Sequence, residues 1–470
     1  MNTNTTNERE HWTSRRGFVL AAAGSAVGLG NLWKFPYITW SNEGGAFVLV
    51  YLLAIASVGL PIMLAELLVG RKAQKSLVGA LQETLGPAWR WLGLFGVLTG
   101  SVVLSYYVVI AGWSLRYVIT CLGWSLGDFV TEESTAAAFK TFTAQGPLQV
   151  ILIVMFMGAT MAVVQRGIGG GIETAARWLM PVLFIIFLLL LVSALRMEGA
   201  TQALSFLLQP DFTRLPTGGV LEALGHAFFS LSLGMGTMIT YGSYLAKKES
   251  IVRVSWTVVL LDTLVALSAA TIMFSVIFSV PGLQEDIGRS TVGMLFITLP
   301  TLFYTVVPLG NLLAPLFYLL VAFAALTSTI SLLEVPVSYC IDQRGQSRSR
   351  AVITCGLPIL GVSILCGLSF GGWAPLSGFS LVYAGTPEAK FGLFEHLDHL
   401  AANLLLPLGG LFLTLGVGWA MSRQASHAEL VDETTPSWFA YDLWRFFLRY
   451  VAPTAVTAIL VAVALGMDFS

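Results

Sequence analysis

Asp262 lies inside the apolar run VVLLDTLVAL, where an ionised group is costly enough to mark a functional site unless neighbouring backbone satisfies it. Two glycine-bearing runs accompany it: Gly24-Ser25-Ala26-Val27-Gly28-Leu29-Gly30-Asn31 and Ser230-Leu231-Ser232-Leu233-Gly234-Met235-Gly236. Each would interrupt a helix and free backbone N–H and C=O groups, which in hydrocarbon must be satisfied by protein, ion or ligand. Freed N–H groups suit a carboxylate, and freed carbonyls suit an ammonium or a hard cation such as sodium. Close packing through small residues is the competing reading for one such run. Two of them, five helices apart, favour a binding site.

The elements that position these residues read as membrane helices. A span needs about 20 mostly apolar residues. That criterion brackets 16–41, 45–70, 88–124, 147–165, 173–196, 218–246, 251–282, 308–341, 350–370, 396–422 and 441–466. The expected fold is therefore an all-α, polytopic membrane protein of about eleven helices. Breaks in the first and sixth suggest two inverted five-helix repeats, 16–196 and 218–422, with the site between their broken members. Residues 1–15 form an N-terminal tail, and 441–466 an eleventh helix. The first apolar stretch lacks a signal peptide's short core and cleavage site, so it is expected to persist in the mature protein.

Placing the N-terminus inside puts Arg15, Arg16, Arg71, Lys72, Lys75, Lys247, Lys248, Arg344 and Arg348 on the inner side. The positive-inside rule then predicts a cytoplasmic N-terminus and, after eleven spans, a C-terminus outside. Short loops and a compact chain suggest a bacterial inner membrane. Hydrophobic residues make up 56% of the 470 and charged ones 11%, with 25 Lys+Arg against 26 Asp+Glu. That balance excludes a basic nucleic-acid-binding surface and makes lipid the main solvent. Cys121, Cys340, Cys355 and Cys366 show no metal-ligand spacing and read as packing residues. No nucleophile with its base and no paired carboxylates point to an enzyme.

The run GSAVGLGNLWKFP from Gly24 to Pro36, followed by Asn42-Glu43-Gly44-Gly45-Ala46-Phe47, resembles the first-helix signature of the neurotransmitter:sodium symporter family, bacterial amino-acid branch. The resemblance continues in order through Gly59-Leu60-Pro61, Glu66, Tyr106-Tyr107, SLSLGMG, TYGSY and Leu326-Thr327-Ser328. The family usually has twelve helices; this chain resembles a bacterial subgroup with eleven.

The resemblance implies a sodium-coupled symporter for neutral amino acids. The N–H groups of Leu29 and Gly30 and the Tyr107 hydroxyl would bind the substrate carboxylate. The carbonyls of Ala26, Phe229 and Ser230, with the Ser232 hydroxyl, would take its ammonium. Gly28 stands where amine-transporting relatives have an aspartate, which points to α-amino acids. Val103, Tyr107, Phe229, Met235, Ser328 and Leu332 would line an uncharged side-chain pocket for hydrophobic or aromatic substrates. Met235 between glycines suggests an adaptable wall, although a helical Met is more often core. Two sodium ions are implied and no organic cofactor. The first would use Ala26, Asn31, Ser230, Asp262 and the substrate carboxylate; the second would use Gly24, Val27, Ala324, Thr327 and Ser328.

Chloride-dependent relatives usually carry asparagine at Asp262 and serine at Ala266, so chloride independence is expected here. His226 replaces the family's glutamine and would donate to Asp262 or Tyr51, or simply pack. Lys34 and Asp398 would pair as an outer gate over Phe229 and Tyr107, with lysine in place of the family's arginine. Arg9, Ser243, Tyr244 and Asp342 match an inner gate, with Trp12 wedged beside it. Helices 1, 2, 6 and 7 would rock against 3, 4, 8 and 9 in alternating access. A sensor or channel of the same fold, without coupled flux, is the rival reading, and a homodimer is left open.

Overall fold

A computed structural model describes residues 10–127, 132–279, 291–383, 390–431 and 438–469. Among these, nine helices are long and apolar enough to cross a membrane. They are Gly45–Ala73, Pro87–Leu126, Gly146–Gln165, Ile168–Ala194, Ile251–Ile277, Gly310–Arg344, Arg348–Leu368, Gly392–Ala420 and Ala440–Ala464. The pair Arg15–Ala26 and Gly30–Ser41, bent by 49°, makes a tenth span. Helix 6 is split into Gly219–Ser230 and Thr237–Gly242, each half too short to pass as a span alone. With it, the eleven expected helices are present in the expected order. Both five-helix repeats begin with a broken helix, and an odd number of crossings makes the second enter from the opposite face.

Burial sorts the helices. Helices 3 (Pro87–Leu126) and 8 (Gly310–Arg344) form the most extensive helix pair. The most apolar stretch of helix 8 is 78% buried, against 28% for helix 11 (Ala440–Ala464). Helices 4, 5, 9 and 11 turn large apolar side chains such as Ile151, Leu188, Leu357 and Val461 outward. In water such a surface would drive aggregation; against lipid it is the ordinary exterior. Helices 1, 3, 6 and 8, which carry most of the residues picked out above, lie in the interior, and helices 2 (Gly45–Ala73) and 7 (Ile251–Ile277) are as buried as helix 3.

The connections hold more structure than the sequence predicts. Leu77–Leu85, Glu132–Ala144, Ala200–Leu208 and Met294–Thr305 are helical, and Ser380–Leu381 pairs antiparallel with Lys390–Phe391. These pieces are too short to give a span-like signal. The helices at 200–208 and 294–305 cap the bundle at the end where helix 1 finishes.

Candidate functional site

Helix 1 stops at Ala26, where Val27 N–H closes the last turn on Ala23 O at 2.6 Å. The chain resumes at Gly30 as a π-helical turn, Gly30–Lys34. The interruption in helix 6 is longer and more contorted. Ser232, Gly234 and Gly236 have φ of 54°, 83° and 75°, the left-handed region that side chains avoid. The Ser232 hydroxyl donates to Ser25 O at 2.9 Å, joining the two breaks. Gly234 N–H donates to Glu66 Oε1 at 2.8 Å, so a wholly buried carboxylate from helix 2 satisfies the unwound backbone. A Cβ at Gly234 would come within 2.4 Å of Leu406 O, so glycine is required there by both conformation and space.

The two breaks face a common cavity. It is lined by Ser25, Ala26, Gly28, Gly30, Val103, Tyr107, Phe229, Ser230, Ser232, Met235, Ser328, Leu332 and Leu406, none with a formal charge. Every substrate-site residue expected from sequence lines it except Leu29, whose N–H donates to Tyr107 Oη at 2.9 Å beside it. Ser25 and Leu406 were not anticipated. A Cβ on Gly28 would sit 2.8 Å from both Ser328 Oγ and Tyr107 Oη, so the missing side chain leaves room for a ligand's polar end.

Against this cavity lies the first expected cation cluster. Asp262, fully buried, accepts from Asn31 Nδ2 at 2.8 Å through one carboxylate oxygen and from Ser230 Oγ at 2.8 Å through the other. Asn31 Oδ1 accepts from Gly28 N–H at 3.2 Å, which ties the helix 1 break to helix 7. The second expected cluster is also drawn together. Ser328 Oγ lies 3.4 Å from Gly24 O, and Thr327 Oγ1 donates to Ala324 O at 2.9 Å. The Val27 carbonyl belongs to the residue at which helix 1 ends. Carbonyls and hydroxyls of this kind are the hard oxygen donors that small cations take.

His226 packs rather than bonds. Its ring stacks on Phe35 at 5.7 Å and lies 5.5 Å from the Tyr51 ring. Among the described residues neither of its nitrogens has a hydrogen-bond partner, so the packing alternative holds and the donation to Asp262 or Tyr51 is not made. Asn31 and Ser230 already occupy the Asp262 oxygens, while Tyr51 Oη reaches Ser230 Oγ at 3.4 Å. Ala266 is fully buried one turn along from Asp262.

Lys34 differs from expectation. It shares a cavity with Asp398, Trp33, Tyr106, Tyr107 and Phe229. Its ammonium, however, donates to the Phe469 carbonyl at 2.8 Å and lies 5.2 Å from the Phe229 ring centre, not in an ion pair with Asp398. Sequence gave no sign of a partner 435 positions away. At the opposite end, Trp12 is buried, its indole N–H donating to Tyr241 O at 3.1 Å. Tyr244 Oη donates to Glu334 Oε1 at 2.7 Å, and Arg348 holds Glu334 Oε2 at 2.9 Å. Ser243 Oγ donates to Thr240 O at 2.6 Å, and Asp342 accepts from Ser76 N–H at 2.6 Å. Arg9 lies outside the described residues. Glu173, nearly fully buried, accepts from Thr13 N–H, Thr13 Oγ1 and Ser14 Oγ at 2.7–2.9 Å and pins the segment before helix 1.

The sequence model of the "Sodium:neurotransmitter symporter family" matches residues 9–133 and 128–468. The chain is 35% identical to the "Uncharacterized sodium-dependent transporter YhdH" of Bacillus subtilis (strain 168), over 95% of each chain. It is 31% identical to the "Uncharacterized sodium-dependent transporter MJ1319" of Methanocaldococcus jannaschii, over 96% of this chain and 90% of that one. Among solved structures it is similar to MhsT in complex with L-phenylalanine, with a TM-score of 0.85 and 39% identity, covering 97% of this chain and 99% of that one. With broken helices 1 and 6 facing a central cavity, this chain belongs to the sodium:neurotransmitter symporter family and is a sodium-dependent membrane transporter, not an enzyme.

Proposed function

We propose that the protein is a symporter that uses inward sodium gradients to import neutral, mainly hydrophobic or aromatic L-amino acids by alternating access. One observation carries this reading: the cavity at the two breaks is lined by interrupted-helix backbone and hydroxyls together with apolar side chains, and by no charged residue. A zwitterion fits such a site because helix-end N–H groups take its carboxylate and freed carbonyls its ammonium. The likeness to MhsT, a structure described in complex with L-phenylalanine, supports an aromatic substrate.

Two sodium ions accompany the substrate. One is held by Asn31, Asp262, Ala26 O and Ser230 together with the substrate carboxylate, and the other by Gly24, Val27, Ala324, Thr327 and Ser328. The Asp262 carboxylate supplies fixed negative charge, so transport runs without chloride. Lys34 and Phe229 face outward, Trp12 and Tyr244 inward, in a bacterial inner membrane with the N-terminus in the cytoplasm and helix 11 ending outside.

Uptake of labelled leucine, phenylalanine and tryptophan into proteoliposomes tests this, with chloride replaced by gluconate. Sodium-driven accumulation of all three, unchanged in gluconate, is expected. Sodium-dependent binding without accumulation would instead favour a non-transporting sensor.

A further inference from the structure

Helix 11 (Ala440–Ala464) ends in a reversal that the transport reading above does not use. Gly466, at φ 101°, turns the chain back, and Met467 N–H closes the turn on Ala462 O at 2.9 Å. The next two residues then reach Lys34 and Asn403. Asp468 is held by Lys390 Nζ at 2.7 Å, Asn403 Nδ2 at 2.8 Å and His399 Nδ1 at 3.3 Å. Phe469 N–H donates to Asn403 Oδ1 at 2.8 Å, and its carbonyl accepts from Lys34 at 2.8 Å. The Phe469 side chain is only 7% exposed and packs with Ile459 and Ala462 against Leu221 and Leu224 of helix 6.

This two-residue segment therefore touches helix 1 through Lys34, helix 6 through Leu221 and Leu224, and helix 10 (Gly392–Ala420) through His399 and Asn403. Its grip is built from hydrogen bonds to charged groups, which are short, strong and directional. Alternating access requires helices 1 and 6 to swing away on the outer side, and a segment bonded to both and to helix 10 opposes that swing.

We infer that Asp468-Phe469 is an outer latch. It positions Lys34 over Phe229 while the central cavity is closed, and it must leave Asn403, Lys34 and the helix 6 face at Leu221 and Leu224 before the cavity opens outward. The segment acts through Lys34 and touches no substrate, so it is a positioning element of the gate. The inference rests on the alternating-access reading.

A disulfide can hold the latch shut. A Cβ built on Gly225 of helix 6 lies 3.9 Å from the Phe469 Cβ, within the range of about 3.5–4.5 Å that disulfides adopt. The Gly225→Cys/Phe469→Cys protein is reconstituted in proteoliposomes and compared oxidised and reduced, with disulfide formation verified by mass. The oxidised parent, whose Cys121, Cys340, Cys355 and Cys366 are free, is the control. A reporter cysteine, Ile110→Cys, in the Lys34 cavity reads outer access by labelling with a membrane-impermeant thiol reagent in sodium without amino acid.

Oxidation is expected to lower both sodium-driven phenylalanine uptake and labelling by at least about tenfold, and reductant to restore them. Asp468→Ala/Phe469→Ala, without the disulfide, is expected to label faster than its parent. Equal labelling of the oxidised and reduced forms would overturn the latch. Labelling needs no transported substrate, so the two readings fail separately. Latch-controlled labelling with no sodium-driven uptake would remove the symport reading and leave the latch standing.

Discussion

Helices 1 and 6 are both interrupted beside the central cavity, but the interruptions are made differently. The first is short, spans Val27 to Leu29 and stays on the ordinary side of the backbone map before resuming at Gly30. Its polar groups meet rigid neighbours: Leu29 N–H bonds Tyr107 of helix 3, and Gly28 N–H bonds Asn31 of its own next turn. The second runs through 231–236 with three left-handed residues, and a carboxylate from helix 2, Glu66, holds its backbone. The first break is thus a fixed port for charge. The second is a longer wall whose backbone, freed from helical bonding, can repack around side chains of different size.

The largest expected effect bears on the fixed port. Asp262→Asn removes the charge that gathers Asn31 and Ser230. Disrupting a buried charge of this kind costs about 3–5 kcal/mol, or roughly a hundred- to several-thousand-fold in sodium affinity. Sodium titration without amino acid reads it, and a change below about threefold would break the assignment of the port to charge. Gly28→Ala comes next. Its new methyl would collide with Ser328 and Tyr107, and overpacking of about 1–3 kcal/mol predicts some five- to hundredfold weaker phenylalanine binding. An unchanged dissociation constant would mean that the carboxylate end of the substrate lies elsewhere.

Two smaller effects bear on the wall. Glu66→Gln keeps an acceptor for Gly234 N–H but loses its charge. Phenylalanine binding should weaken by about tenfold, because charge-assisted bonds are about twice as strong as neutral ones. Sodium affinity measured without amino acid should stay as it was; a parallel loss of both would erase the distinction between the two breaks. Met235→Leu conserves volume while removing flexibility, and such swaps cost below about 1.5 kcal/mol. Leucine uptake should change little and tryptophan uptake should fall a few-fold. Equal effects on both substrates would show that the wall does not adapt through this residue.

Residues that announce themselves by violating a local rule were legible in the sequence. Glycines inside apolar spans gave both breaks, and Asp262 stood out as a charge among Val and Leu. The cavity list followed from the resemblance, and the structure gathers all of it but the Leu29 side chain. Leu406 was not legible, since a leucine before Pro407 in an apolar helix looks like any other and reaches the cavity only through the close approach of helix 10 to Gly234. Lys34 was visible as a gate residue, but its partner is a backbone carbonyl at Phe469, and a carbonyl carries no sequence signature. His226 was visible as an exception, and of its readings packing is the one the structure supports, since aromatic neighbours on helices 1 and 2 capture its ring. The helices at 132–144 and 200–208 were too short for a hydropathy signal.

The central claim is that the helix 1 break joins the substrate carboxylate to a sodium ion in direct contact. Linkage makes the consequence reciprocal: each ligand must raise the other's affinity by the same factor. The direct measurement is the dissociation constant of phenylalanine across a sodium titration at fixed ionic strength, repeated with phenethylamine, which lacks the carboxylate. The account predicts phenylalanine binding that tightens steeply with sodium, a matching gain in sodium affinity, and little or no sodium dependence for the amine. Equal sodium dependence for both ligands would contradict it.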